Sequence, residues 1–302
     1  MNDLLSIQDV SAADIRDIFV LTDELKARPG KFAKVLAGKT LALLFQKPSN
    51  RTRVSFEVGM YQLGGNAVYL SPEEINLGVR EPVSDVARTL SRYVDGIVLR
   101  TFGHDNVLEL AQYCSKPVIN GLSDFSHPCQ ALADLYTIRE RFGSFTGRTL
   151  AYVGDGNNVC NSLIFACAKT GLALRIASPR GYEPRSGLIR RALAGNRKAS
   201  ITVTHDPGVA ARAADVLYTD VWASMGQEKE SSARRRVFRK FRIDGALVKK
   251  AKRGALVMHC LPAHRGDEIT DEVIESAQSV VFDQAENRMH VQKAVLIKLL
   301  AG

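Results

Sequence analysis

The chain has 302 residues, a length that suits about two domains at roughly 150 residues each. With 45% hydrophobic and 24% charged residues it is too apolar for a disordered polymer and ordinary for a globular one. Its formal charge of +9 invites a nucleic-acid reading, but much of the excess sits in the single run Arg234–Arg242. No apolar run approaches the roughly 18 residues of a spanning helix. The amino terminus scatters Asp3, Asp9 and Asp14 among its apolar residues, where an export signal would carry a basic head and an apolar middle. Five scattered cysteines, an odd number, suit a reducing compartment, so the expected location is the cytoplasm, with no membrane partner.

Strand-length apolar runs alternate with amphipathic segments along the chain. Thr40–Phe45, Ala67–Leu70, Gly96–Arg100 and Pro117–Asn120 form a first series of predicted strands. Thr149–Val153, Leu174–Ala177, Ser200–Thr204, Val216–Asp220, Ala255–Leu261 and Val280–Phe282 form a second. Helical patterns lie between them, among them Val83–Val94, Cys129–Phe142 and Val159–Thr170, and a last one covers Asn287–Leu300. Strands alternating with helices predict an α/β fold of parallel sheets flanked by helices, because parallel neighbours need crossover connections. The Gly/Ser turn Phe142–Gly147 is the expected domain boundary, separating 1–143 from 147–286. In the run Arg234–Arg242, Val237, Phe238 and Phe241 break the charges at spacings that give a helix one apolar face. A solvated helix face is the reading taken, with no nucleic-acid partner; RNA or DNA binding is the minority alternative.

Ligands of open α/β sheets bind beyond the carboxyl ends of the strands, which selects the segments that carry chemistry. After the first strand comes Gln46-Lys47-Pro48-Ser49-Asn50-Arg51-Thr52-Arg53, then an apolar helical pattern. Ser49 or Asn50 can cap that helix, and its free N–H groups with two arginines and a hydroxyl make an anion site, most naturally for phosphate. His127-Pro128-Cys129-Gln130 opens another helix with proline at its first position; imidazole and carboxamide there can donate to a carbonyl oxygen gaining charge. Gly154-Asp155-Gly156-Asn157-Asn158-Val159 lacks the third glycine of a dinucleotide fingerprint. No acidic residue ends the next strand either, so no nicotinamide cofactor is expected. Thr219-Asp220-Val221-Trp222-Ala223-Ser224-Met225-Gly226 joins a carboxylate, a hydroxyl and a glycine loop, suited to a substrate ammonium. His259-Cys260-Leu261-Pro262 matches no Cys/His metal spacing, and Cys260 is equally readable as a small buried residue. Each motif alone also fits a capped helix or a solvent loop.

Taken in order, Ser49–Arg53, His127–Gln130, Asp220 with Ser224-Met225-Gly226, and His259–Pro262 resemble the aspartate/ornithine carbamoyltransferase family over essentially the whole chain. The Ser-Met-Gly and His-Cys-Leu-Pro segments point to its ornithine branch. The resemblance implies two Rossmann-like domains, the first binding carbamoyl phosphate and the second ornithine, with the carboxyl-terminal helix 287–302 returning to the first. It implies that Ser49, Asn50, Arg51 and Thr52 cradle the phosphate, that Arg100 bridges phosphate and carbamoyl oxygen, and that His127, Pro128, Cys129 and Gln130 hold the carbamoyl group. Asn158, Asp220, Ser224 and Met225 would bind ornithine, Cys260, Leu261 and Arg288 would complete the pocket, and Asn76 would reach a neighbouring subunit's site. Arg100, His127, Asp220 and Cys260 would be catalytic. The implied assembly is a homotrimer, and neither a metal nor an organic cofactor is implied. Family members usually carry glutamate where Gln46 stands, threonine where Asn50 stands and glutamine where Asn76 stands. The rival readings are the same transfer to putrescine, lysine or an acylated ornithine, and a basic RNA-binding module without catalysis.

Overall fold

In a computed structural model, the chain is described over residues 1–223 and 230–301. It divides into two compact units, one made of Met1–Tyr136 with the chain from Glu286 onward, the other of Thr137–Ala285. Both are α/β, as the alternation of strand and helix patterns predicts.

The first unit is built on β1 (Thr40–Phe45), β2 (Asn66–Leu70), β3 (Gly96–Arg100) and β4 (Val118–Leu122), all parallel, in the order β2-β1-β3-β4. Nearly every residue of β1 and β3 is buried, as expected for central strands covered on both faces, and β2 lies half-exposed at an edge. Ala42, Leu44, Ile97 and Leu99 pack with Val86, Val107 and Leu110 from the crossover helices in one core. The chain winds from β1 outward to β2, then returns to the other side for β3. The loops after β1 and β3 therefore part at a topological switch point, where an open sheet leaves a crevice.

The second unit carries β5 (Thr149–Val153), β6 (Ala173–Ala177), β7 (Ile201–Thr204), β8 (Val216–Thr219) and β9 (Leu256–His259), also all parallel, in the order β7-β6-β5-β8-β9. Here the reversal falls between β5 and β8. Its core joins Ala151, Val153, Leu217 and Val257 to Trp222, Phe238 and Phe241.

Two expectations need correcting. Val280–Phe282 is not a strand: Val257 and Ser279 make a single bridge, and a continuous helix, Val281–Leu300, begins at once. Asp283 in its first turn favours that start electrostatically, and the helical pattern read from Asn287 extends back over it. The run Arg234–Arg242 is also not wholly a solvated face. Its helix Ser231–Phe238 and the following turn Arg239–Phe241 bury Phe238 and Phe241 as the spacing predicts, but Arg234 is buried with them.

Tight backbone approach explains one glycine at the β5 turn. A Cβ on Gly156 would overlap the backbone of Glu183 and Pro184, which flexible side chains cannot relieve. Gly156→Ala should therefore cost about 1–3 kcal/mol, the usual scale of overpacking. Urea denaturation would show this as a lowered midpoint at constant slope, and an unchanged midpoint would mean that the turn can move aside.

Candidate active site

In the first unit, β1 delivers the chain to the helix Asn50–Gln62, whose N-cap is Ser49. Ser49 Oγ accepts from the Thr52 N–H at 3.3 Å and donates to Thr52 Oγ1 at 3.1 Å. Ser is thus the cap, with Asn50 exposed at the first helical position and Arg51 half-buried beside it. Thr52 is buried, and its hydroxyl is where two further arginines converge. Arg100 Nη1, from the end of β3, lies 3.5 Å from Thr52 Oγ1, and Arg288 Nη2, from the long carboxyl-terminal helix, makes a short hydrogen bond to the same oxygen. Arg288 Nη1 also donates to Gln130 Oε1 at 3.2 Å.

No carboxylate among the described residues pairs with Arg51 or Arg100, and the Nε of Arg100 is buried without a partner. Burial, reinforced by the charges of Arg288 and Arg51, pulls the Arg100 guanidinium far below its ordinary value, to about 9. Burial and the Arg288 and Arg100 charges hold His127 well below the usual imidazole range, so it is neutral at pH 7 and can donate one ring N–H. Unneutralised guanidiniums next to the free N–H groups of a helix end make a dianion site without any glycine-rich loop.

The helix Pro128–Phe142 starts immediately after His127. Gln130 Nε2 donates to Asp134 Oδ1 at 2.8 Å, which fixes the carboxamide and leaves its second N–H directed elsewhere. Cys129 is fully buried, its Sγ 3.9 Å from the Asn120 carbonyl, and burial pushes its thiol up to about 12. Its side chain, like the ring of Pro128, is packing rather than a polar ligand. Asn76 stands exposed at a left-handed φ of 35°, after the short helix Pro72–Ile75, with no side-chain hydrogen bond to the arginine cluster among the described residues. The Gln46 amide ties this turn to the sheet: Nε2 donates to Leu77 O at 2.9 Å, while Oε1 accepts from Thr101 and Asn106. The bond to Leu77 is one an ionised glutamate could not donate.

In the second unit the loops after β5, β8 and β9 bring Asn157, Asp220 and Cys260 together. Asn157 Oδ1 caps the helix Asn158–Thr170 by accepting from the N–H groups of Val159 and Cys160, and its Nδ2 donates to Asp220 Oδ2 at 2.7 Å. Asp220 Oδ1 accepts from the Val221 N–H at 2.8 Å and from Cys260 Sγ at 2.9 Å. The carboxylate is thereby oriented on three sides, with lone pairs left for a cationic or amine ligand. Asn157 was missed in the sequence, where Asn158 was chosen; its position just before the first helical residue was the available signal. Asn158 follows as that first residue. Leu261, at a left-handed φ of 57°, comes immediately after Cys260. Ser224 and Met225 lie outside the described residues.

His259, completely buried, supports this corner. Its Nδ1 accepts from the Leu261 N–H at 2.8 Å, so Nε2 carries the proton and donates to Glu268 Oε1 at 3.0 Å. The candidate metal-ligand atoms of Asp220, His259 and Cys260 lie within 4.8 Å of one another. Because both ring nitrogens are already engaged, the trio offers a carboxylate and a thiol, not a three-ligand cage.

Comparison with known proteins agrees with this division of labour. Residues 2–140 match the family description "Aspartate/ornithine carbamoyltransferase, carbamoyl-P binding domain", and residues 146–299 match its "Asp/Orn binding domain". The chain is 53% identical to the ornithine carbamoyltransferase of Thermococcus kodakarensis, with 99% of this chain and 96% of that one aligned. It is equally similar, at 53% and the same coverage, to the Pyrococcus furiosus protein named "Ornithine carbamoyltransferase, anabolic". Among solved structures, the Pyrococcus furiosus ornithine carbamoyltransferase superposes with a TM-score of 0.96 over 100% of this chain and 97% of that one, at 53% identity. The Thermus thermophilus enzyme gives 0.90 at 46% identity, over 99% of each chain.

The arginine cluster predicts a stabilisation that thermal unfolding reads directly. Inorganic phosphate at 100 times its Kd should stabilise the fold by about 2.7 kcal/mol through binding linkage. Arg51→Ala and Arg288→Gln should lose most of the resulting Tm rise; equal phosphate responses in variants and parent would place the anion elsewhere.

Proposed function

The chain belongs to the aspartate/ornithine carbamoyltransferase family, and on that premise we propose how it transfers the carbamoyl group of carbamoyl phosphate to the δ-amine of L-ornithine, giving L-citrulline and phosphate. The observation that carries the reading is the convergence of Arg51, Arg100 and Arg288 on the Ser49–Thr52 helix end, a site for a dianionic donor.

In this reading Ser49, Asn50, Arg51 and Thr52 bind the phosphate, with Arg288 held against Thr52 and Gln130. Arg100 spans phosphate and carbamoyl oxygen. Neutral His127 and the second N–H of Gln130 donate to the same oxygen. In the second unit Asn158, Asp220, Ser224 and Met225 bind the amino acid, Asp220 and Cys260 orient its amine, and Leu261 shapes the corner. Asn157 keeps Asp220 in place.

The reacting nitrogen must be the free amine, although an alkyl amine has a pKa of roughly 10. Its lone pair forms the new C–N bond to the carbonyl carbon, and negative charge collects on the carbamoyl oxygen facing Arg100 and His127. Collapse breaks the bond between the carbonyl carbon and the bridging phosphate oxygen, and the proton shed by the nitrogen passes to the departing phosphate, which leaves among the arginines as the hydrogen phosphate dianion. Every group this scheme uses is a side chain or backbone amide of the chain.

The anabolic name of the Pyrococcus furiosus relative supports transfer towards citrulline, as arginine biosynthesis requires. A homotrimer is supported by the half-exposed edge strand β2 and the apolar side chains Val54, Tyr61 and Val68 beside it, since such edges are usually covered. The five cysteines form no disulfide, as suits the cytoplasm, and no described helix is long and apolar enough to cross a membrane.

Purified protein given carbamoyl phosphate and ornithine should form citrulline; faster carbamoylation of putrescine or lysine would overturn the choice of acceptor. Arg100→Gln and His127→Gln should each lower kcat by about 10²–10³-fold, the scale for loss of one oxyanion donor, in steady-state citrulline assays. The pH profile should have two limbs. kcat/KM for ornithine rises as the amine deprotonates. kcat/KM for carbamoyl phosphate falls as pH passes about 9, because Arg100 in the free enzyme is charged below that value and neutral above it.

A further inference from the structure

One residue of the basic run is not used by the chemistry above, yet it is buried and held by several partners. Arg234 is only 8% exposed although it belongs to a helix whose neighbouring arginines are in solvent. Its Nη1 donates both to Asp155 Oδ2 at 2.8 Å and to the Trp222 carbonyl at 3.0 Å. Nε donates to Glu230 Oε2 at 3.0 Å, and the guanidinium lies 5.1 Å from the centre of the Tyr182 ring.

The two acceptors of Nη1 belong to the two loops that aim Asp220. Asp155 is two residues before Asn157, whose amide holds Asp220, and Tyr152 Oη ties the Asp155 carbonyl and the Asn157 side chain to one point. Trp222 is two residues beyond Asp220. Asp155, Asn157, Asp220, Trp222 and Arg234 thus close a ring, and the guanidinium is the only member bonded to both loops from outside them. Its planar fork suits this task, since an ammonium is a point charge that cannot meet divergent acceptors with the same fixed geometry.

We infer that Arg234 is a positioning residue for the amino-acid substrate: by bracing the Asp155 turn against the Trp222 carbonyl it fixes the direction of the Asp220 carboxylate. This rests on the assignment of ornithine to the Asp220 corner. Removing the brace leaves the mostly buried Asp155 carboxylate and the Trp222 carbonyl without their shared donor, so the loops relax and Asp220 turns away from the substrate nitrogen. Phosphate binding uses the other unit and is not touched.

Steady-state kinetics with each substrate varied in turn test this, at a temperature where circular dichroism shows all variants folded. Arg234→Gln should raise KM for ornithine at least tenfold while KM for carbamoyl phosphate stays within twofold. Arg234→Lys, which keeps the charge, should fall between Gln and the parent and carries the test if the Gln variant does not fold. Asp155→Asn should show the same selective rise in smaller degree. Arg235→Gln, altering an exposed neighbour paired, among the described residues, with Asp267, should match the parent. An unchanged ornithine KM in the Lys and Gln variants, or KM values for both substrates rising together, would overturn the inference. A parent enzyme that makes no citrulline would instead overturn the functional assignment beneath it.

Discussion

Like charges gathered in a low-dielectric setting, with no carboxylate bonded to Arg51 or Arg100 among the described residues, are the constraint on which the first unit depends. Arg100 and Arg288 both reach the hydroxyl of a buried Thr52, and Arg51 adds a third charge close enough to depress Arg100. A fold optimised for stability alone would place a carboxylate there or use an apolar side chain, since an uncompensated buried charge is costly. The arrangement makes sense when a dianionic ligand supplies the missing charge. Its attraction to the site is then largely relief of repulsion that the empty protein already carries, held ready by β1, β3 and two helices.

The second unit solves a different problem: how to hold one carboxylate steady at the end of a strand. Asp220 follows β8 directly and is fixed by an asparagine that also caps a helix, by the next backbone amide and by the Cys260 thiol. Behind Cys260, His259 donates to Glu268 Oε1 through Nε2 and accepts from the Leu261 amide through Nδ1, so the backbone after the thiol is set by a buried imidazole with both ring nitrogens engaged. In both units part of the set lies where the strand order reverses, Ser49–Thr52 and Arg100 in the first and Asn157 and Asp220 in the second, because there adjacent loops diverge and leave a gap for a ligand.

Much of this was legible from residue order. Apolar runs of strand length matched all nine described strands to within two residues at either end, because buried parallel strands leave an unbroken apolar signal. The ninth, β9, ends at His259 because the chain turns at Cys260 and Leu261, and an apolar count over Ala255–Leu261 cannot see that turn. Val280 and Val281 misled for a related reason: β-branched residues at a helix start carry the same local signal as a short strand. Ser49, Arg51, Thr52, His127 and Asp220 stood out because polar residues directly after strands have few structural reasons to be there. Arg288, Asn157 and Arg234 are different. Arg288 came only through the family resemblance, Asn157 carries only the weak local signal of a helix cap, and Arg234 acts through partners distant in sequence that no local pattern marks. Arg234 was hidden by four exposed neighbouring cations, Arg235, Arg236, Arg239 and Lys240.

The charge relief proposed for the anion site has a signature in proton exchange. In the free protein Arg100 is half ionised near pH 9, and a bound dianion restores its charge. Isothermal titration of inorganic phosphate at pH 9, repeated in two buffers with different ionisation enthalpies, should show uptake of about half a proton per site, absent in Arg100→Gln. Binding with no proton uptake would mean that the guanidiniums were already neutralised before the ligand arrived, and would contradict the account.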